Sequence, residues 1–307
     1  MDFGFLSGRI NGSVDYYYRQ TEDLLSEVDI PTGMNFTNRL MSNIGEMKNQ
    51  GVEVSLNFVP VETKDWRWTI GLNGTWQQTE IGKLNDDGYV RVGENMSGQG
   101  GPSAIHYEGY QPFTFFLYQQ AYDANGKPIQ NTFVDRDGDG EISESDRYVT
   151  GCSATPDFYY GISTQLTYKN WDFGINAHGS IGNEAINKTA VDNSTTFMSS
   201  IGYNYLTNFN EYHFRTGFTK QSTTAQYYSD MFIEDASFFR VDDINLGYTF
   251  REVGKSKMNI RIAASCQNVF VISDYSGLDP ENSDSDGVYG EIVPRPRLYT
   301  LRLNINF

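Results

Sequence analysis

Residues 298–307, LYTLRLNINF, alternate without a break. Tyr299, Leu301, Leu303, Ile305 and Phe307 are apolar, whereas Thr300, Arg302, Asn304 and Asn306 are polar. Successive side chains of a strand point to opposite faces, so the run reads as a strand with one greasy and one wet side. Alone it fits an amphipathic edge strand of a soluble sandwich as well as a strand in a membrane wall. The other strands decide.

They repeat the pattern. GRINGSVDYYYRQ from Gly8, GVEVSLNF from Gly51 and WRWTIGLNGTW from Trp66 alternate in the same way. So do FYYGISTQLTY from Phe158, WDFGINAHG from Trp171, DINLGYTF from Asp243 and KMNIRIAASCQNVF from Lys257. FFLYQQAYD from Phe115 and IQNTFVD from Ile129 add two shorter candidates. The polar stretch from Thr21 to Lys48, the Gly-, Asn- and Ser-rich stretch from Gly82 to Pro112 and the irregular stretch from Ile181 to Asp235 read as loops. The last of these carries helical turns around Glu184 to Ala190. The total is about ten antiparallel strands.

Connections alternate short with long. Glu62 to Asp65, Asn125-Gly126, Lys169-Asn170 and Val253 to Ser256 are tight, and long loops fall between them. Counting back from Phe307, every clear tight turn lies at one end and every long loop at the other. That asymmetry is a property of outer-membrane barrels, and a soluble meander has no reason to keep it. The apolar faces then meet lipid, while Asn73, Asn176, Arg261 and Arg302 face the lumen. Arg placed at Ile260 is expected to impair assembly, and Arg at Ser265 to be tolerated.

Composition agrees. The chain has 307 residues with 21 Tyr and 20 Phe but only 38% hydrophobic residues, a mixture that suits aromatic girdles over a polar interior. A formal net charge of -16 without a Lys/Arg cluster excludes nucleic acid as a partner. Cys152 and Cys266 match no zinc spacing. No run of 18 apolar residues predicts a spanning helix, and DFGFLSGRI after Met1 is not a signal peptide. A secreted barrel needs one, so the chain is expected to be the carboxy-terminal piece of something longer.

One local motif carries metal chemistry. In DRDGDGEISESD, Asp135, Asp137 and Asp139 occupy positions 1, 3 and 5 of a calcium loop, with Gly140 at the turn. Glu141 offers its backbone carbonyl at position 7 and Asp146 closes the loop at position 12. Hard oxygen ligands at this spacing suit Ca2+ in a structural role, and an Asx-rich turn that binds nothing gives the same letters. His106, His178 and His213 lie beside no nucleophile elbow, so catalysis is not expected. Tyr203, Tyr205, Phe209, Tyr212, Phe214, Tyr227 and Tyr228 either stack on sugar rings or pack their loop against itself.

The ending on an alternating strand with a terminal Phe resembles the assembly signal of bacterial outer-membrane barrels. NIGEMKNQGVEVSLN from Asn43, the acidic loop followed by TPDFYYGI, ASFFRVDDINLGYTF from Ala236, NVFVISDYSGLDPE from Asn268 and PRPRLYTLRLNINF from Pro294 together resemble the SusC/RagA family of TonB-dependent outer-membrane transporters. The resemblance covers essentially the whole chain. It implies an all-β fold, an antiparallel transmembrane β-barrel segment that is part of a 22-stranded barrel. It also implies a separate amino-terminal plug, which with the TonB box and signal peptide is absent here. Its implied partners are the TonB complex, a SusD-like surface lipoprotein, outer-membrane lipid and an oligosaccharide or peptide substrate. Two other readings stay open: a closed ten-stranded outer-membrane barrel enzyme, protease-like, and a soluble calcium-dependent sugar-binding β-sandwich.

Overall fold

In the computed structural model every residue is described except 30–32, 34–35, 37–38, 85–87, 97–99, 195–210, 255–256, 282–285, 291 and 307. Phe307 therefore lies outside the described residues. The chain opens with a short hairpin of β1 (Asp2–Phe5) and β2 (Ile10–Asp29), followed by β3 (Arg39–Glu62) and β4 (Trp66–Ile81). Five short strands follow, β5 (Tyr89–Asn95), β6 (Pro102–Tyr107), β7 (Thr114–Tyr118), β8 (Gln120–Tyr122) and β9 (Pro128–Phe133), then β10 (Arg147–Ser153). The long strands resume with β11 (Phe158–Tyr168) and β12 (Trp171–Ile181). After β13 (Glu184–Asn187) come the helices α1 (Lys188–Asn193), α2 (Glu211–Thr216) and α3 (Thr224–Tyr227), then β14 (Ile233–Asp235). The chain finishes with β15 (Phe238–Val253), β16 (Met258–Ser273), β17 (Val288–Tyr289) and β18 (Leu298–Asn306).

One nine-stranded antiparallel sheet forms the wall, in the order β1-β2-β3-β4-β11-β12-β15-β16-β18. Among the described residues β18 pairs only with β16 and β1 only with β2, so the sheet does not close on itself. Its register matches like with like. Leu72 stands opposite both Leu56 and Ile162, Ile175 opposite Ile244, and Ile262 opposite both Tyr248 and Leu303. The polar face lines up Asn73 with Ser55 and Gly161, and Ser265 with Asn245 and Thr300. Because the side-chain period is two, a one-residue slip would reverse every such match.

Two aromatic belts cross the apolar face. Trp66, Tyr168, Trp171 and Tyr248 stand opposite one another on four neighbouring strands, with ring centroids 4.1 Å apart for Trp66–Tyr168 and 4.7 Å for Trp171–Tyr248. At the other level Trp76 lies opposite Phe158, Tyr160 stacks on Phe239 at 6.4 Å, and Phe239 contacts Phe270. Phe158 and Tyr168 bound one strand. At ~3.3 Å per residue they lie about 33 Å apart along it, or about 25 Å across a bilayer at the usual strand tilt. That is the height of an outer-membrane apolar band.

The structure corrects several details. The first strand begins at Ile10 behind a hairpin strand that the alternation did not reveal. β2 and β3 continue deep into the polar stretch from Thr21 to Lys48, and beyond Glu46, which bonds to Gly82 and Lys83, their ladder continues among the described residues without a third strand, as a projecting ribbon. The stretch from Gly82 to Pro112 holds the β5–β6 hairpin. FFLYQQAYD and IQNTFVD do form strands, but in small sheets outside the wall, β10-β7-β6-β5 and β8-β9, so the Asn125-Gly126 turn joins β8 to β9 among the long excursions and not at the rim of tight turns. Residues 184–187 are extended, with the helix starting at Lys188.

The tight connections, at residues 6–9, 63–65, 169–170 and 254–257, and the end of β18 share one rim. The long excursions share the other and interlock into a cap. Phe115, Leu117 and Tyr118 of β7, Phe133 of β9, Ile186 of β13, Val191 of α1, Tyr228, Phe232 and Val288 make a single buried cluster there. β13 pairs in parallel with β17, tying two excursions together. Truncating a fully buried ring such as Phe115 costs ~3–5 kcal/mol.

Ile260 stands opposite Phe250, level with the aromatic belt, so it is a poor midplane probe. Ile244, opposite Cys266 and Ile175 and midway between the belts, takes its place. Ile244→Arg in the whole protein should lose ~2–4 kcal/mol of stability in lipid, while Ser265→Arg on the polar face should change little. Heat-modifiable gel mobility after refolding into vesicles reads the difference, and equal refolding of both variants contradicts the facing.

Candidate functional site: the polar wall and its cap

The polar face carries a depression of about 500 Å3 on β3, β4, β11 and β12. Asn57, Asn73, Thr75, Tyr159, Ser163 and Asn176 are among its hydrogen-bonding groups, His178 reaches it from the rim, and no Asp, Glu, Lys or Arg lines it. Glycines make the room: a Cβ at Gly161 would stand 2.5 Å from the Asn73 amide, and one at Gly71 equally close to the Ser163 hydroxyl. A lower row carries charge that is already paired. Arg261 donates to Asp172 from two guanidinium nitrogens, Nε at 3.1 Å, across the position where Gly247 leaves space.

At the cap rim a buried ionic network fastens the β16–β18 connection to the wall. Arg240 of β15, 3% exposed, pairs with Asp279 and lies 3.0 Å from Glu281. Arg295 pairs with the same two carboxylates, at 3.4 Å from Asp279 and 2.8 Å from Glu281. His178 lies between Asp242 at 2.7 Å and Glu281 at 3.3 Å. The sequence carried one sign of this. Phe239 and Val241 are in phase, Ile244 and Leu246 are in the opposite phase, and such a switch marks a bulge. Against β12 the register does shift, from Asn176 opposite Asp243 to Ala177 opposite Val241, which leaves Asp242 as the extra residue beside His178. The partners at Asp279, Glu281 and Arg295 left no sign.

A second buried cation sits in the cap. Arg147 lies 4.1 Å from the Tyr228 ring and 5.1 Å from that of Tyr118, and donates to the carbonyls of Gly100 and Pro102. The aromatic question is thereby answered in part. Tyr228 is fully buried and packs the loop, Tyr227 leans on the same cluster, and the Tyr212 hydroxyl donates to the Ser276 carbonyl. Phe214 is exposed, and Tyr203, Tyr205 and Phe209 lie outside the described residues.

In the acidic loop the carboxylates of Asp135, Asp137 and Asp139 each place an oxygen within 4.8 Å of the others, all exposed. Asp135 accepts from the amides of Gly138 (2.7 Å) and Gly140 (2.9 Å), which sit at positive φ. Asp139 accepts from the Glu141 amide, and Asp137 from the Ser145 hydroxyl at 2.6 Å. Asp146 is apart from the three. It is fully buried, and its oxygens accept from the amides of Arg136 (2.7 Å) and Ser143 (2.8 Å). Arg136 stacks on Tyr148, whose hydroxyl donates to Asp230, so the loop is moored to the cap. Hydrogen bonds from Ser143 and Arg136 hold the Asp146 carboxyl below its ordinary range.

The histidines are dispersed. His106 packs edge-on against Phe113, and burial holds its pKa down, toward the neutral form. His213 lies in α2, and His178 belongs to the rim network. Cys152 and Cys266 are both free thiols.

Residues 1–269 match the model of the TonB dependent receptor-like, beta-barrel family. The chain belongs to this family. It is 39% identical to the TonB-dependent receptor SusC of Bacteroides thetaiotaomicron over 321 residues, which span 100% of this chain and 31% of that receptor. It is 28% identical to the TonB-dependent receptor P3 of Formosa agariphila, over 100% of this chain and 33% of that one. Its fold matches a solved RagAB peptide transporter with a TM-score of 0.77 at 22% identity, over 100% of this chain and 34% of the other. The expected likeness to SusC/RagA receptors therefore holds, and with it an outer-membrane barrel fold and location. The relatives are receptors and transporters, so the barrel-enzyme and soluble-sandwich readings fall away. The chain spans about a third of the length of the relatives it matches.

For a receptor wall, the rim network predicts that Arg240→Met loosens the loop by ~3–5 kcal/mol, since it leaves Asp279 buried and unpaired. Hydrogen exchange at residues 274–281 should then rise toward that of an unfolded segment, and unchanged protection would rule the network out as the fastener. The Asp146 carboxyl has a folded pKa below its ordinary value near 3.8. Its contribution is complete above that value and is lost as pH falls through the depressed folded pKa. Exchange at the Arg136 and Ser143 amides, followed during acidification, should stay slow past pH 3.8 and rise only below it.

Proposed function

We propose that this chain is the carboxy-terminal portion of a 22-stranded TonB-dependent receptor that takes up oligosaccharides or peptides across the outer membrane. In this reading a SusD-like lipoprotein closes over the cap, and the TonB complex acts through receptor segments beyond this chain. The match to the receptor SusC over 100% of this chain carries the proposal. The unpaired outer edges of the sheet support it, since a wall of this kind needs further strands to complete its hydrogen bonding. The depression supports it as well, because a lining rich in amides and hydroxyls, with His178 at its edge, recognises polar solutes by hydrogen bonding.

Uptake of labelled oligosaccharides and of labelled peptides by cells carrying the whole receptor tests this. Uptake of one class should vanish when TonB is deleted and fall when Asn73→Leu and Asn176→Leu are combined, with the barrel still folded. Uptake of either class that survives without TonB would refute it.

Within the same receptor, Asp135, Asp137 and Asp139 bind Ca2+ as a structural ion, Glu141 adds its backbone carbonyl, and Asp146 braces the loop from behind. Three exposed carboxylates within 4.8 Å repel one another, and a divalent cation turns that repulsion into attraction. An affinity of about 10⁻⁴ to 10⁻³ M suffices outside the cell. Calorimetry on the whole receptor should give a heat of binding that Asp137→Ala and Asp139→Ala abolish. Equal heats in all three proteins leave the loop an acidic turn.

A further inference from the structure

The rim of tight turns carries a charge opposite to that of the molecule. Against a formal net charge of -16, this rim exposes Arg9, Lys64, Lys169, Arg251 and Lys257. Asp65 and Glu252 share it, and Arg67 is offset by Glu62 at 4.0 Å, which leaves the rim net positive. Among the described residues no carboxylate lies within ion-pair distance of Lys64, Lys169, Arg251 or Lys257. The turns form one continuous edge: the Lys169 amide donates to the Asp65 carbonyl at 2.8 Å, and the Thr249 amide to the Asn170 carbonyl at 2.9 Å.

Turn geometry does not account for these lysines. Lys169 (φ 53°) and Lys257 (φ 52°) occupy the left-handed region, where glycine or asparagine is the favoured choice. Directly above them lies the belt of Trp66, Tyr168, Trp171 and Tyr248, the level at which aromatic rings meet headgroups. The Lys169 ammonium lies 5.2 Å from the Tyr168 ring centroid, close to that level. Basic groups within a screening length of about 8–10 Å of an anionic lipid surface are attracted to it.

We propose that this rim is a binding surface for anionic phospholipid headgroups of the periplasmic leaflet, with Lys64, Lys169 and Lys257 as its phosphate ligands. The occupant is chosen by charge complementarity and by the aromatic belt that fixes its depth. The surface depends on the outer-membrane location of the family and not on the uptake reading. No transport substrate enters its test, so failure of one leaves the other standing.

The whole receptor carrying this chain is equilibrated with vesicles of phosphatidylethanolamine and phosphatidylglycerol, extracted gently, and its retained lipid measured by native mass spectrometry. Phosphatidylglycerol should be enriched several-fold over its bulk share. The enrichment should disappear in the combined variant K64Q/K169Q/K257Q and persist in K127Q/K188Q/R215Q, which removes as much charge from the cap. Raising the salt concentration with the unmodified receptor should also abolish it, a readout that needs no variant to fold. Retained lipid in bulk proportion, or enrichment indifferent to salt and to the three rim substitutions, overturns the proposal.

Discussion

A backbone crossing hydrocarbon finds no water to bond, so each amide and carbonyl must be met by a neighbouring strand. The rest of this structure depends on that constraint. It makes the wall a ladder of antiparallel strands whose like faces stay in register over eleven residue pairs between β11 and β12. It also fixes what the wall does not need. Most wall side chains are half-buried or exposed, because lipid on one side and the lumen on the other replace a packed interior.

The packed interior lies instead in the cap. Phe115, Leu117, Ile186 and Tyr228 are buried there as in a soluble domain, and the hydrophobic effect can act because water, not lipid, is the alternative. The molecule therefore joins two solvents' worth of design. Strand pairing holds the wall, apolar burial holds the cap, and the Arg240–Asp279–Glu281 network joins them where neither applies cleanly. A buried ion pair adds little net stability, but it tolerates few alternative arrangements, which suits a joint between two differently built parts.

How much of this was legible follows from the same division. In the wall every strand faces two different solvents, so alternation is enforced and could be read from Val52 to Phe58 or from Ile260 to Cys266. β5 and β6 fold under loop excursions, with no common face to write a period. Ser103, Ala104 and Ile105 are buried in succession, so that hairpin looked like a loop. FFLYQQAYD alternated too weakly to declare its sheet, and it belongs to the cap because Phe115 and Leu117 fill the cap core. The acidic loop was legible as a turn since Asx geometry is local. The burial of Asp146 was not, because it depends on the mooring of Arg136 through Tyr148 to Asp230, far along the chain.

The placement of charge follows from the same two solvents. On the wall's polar face Arg261 and Asp172 neutralise each other, and the depression is lined by no carboxylate or cation, although Asp243 accepts from its Asn176 and His178 stands at its edge. A neutral hydrogen-bonding wall holds no solute by a long-range field. It binds through contacts of a few ångströms that water can replace, so each step along it is nearly balanced against hydration. Fixed charges would trap counter-ions or charged solutes and deepen some sites over others. If the wall lines a passage, as the proposed uptake reading has it, weak binding everywhere serves release, and Gly161 and Gly71 leave the room that Asn73 and Ser163 occupy.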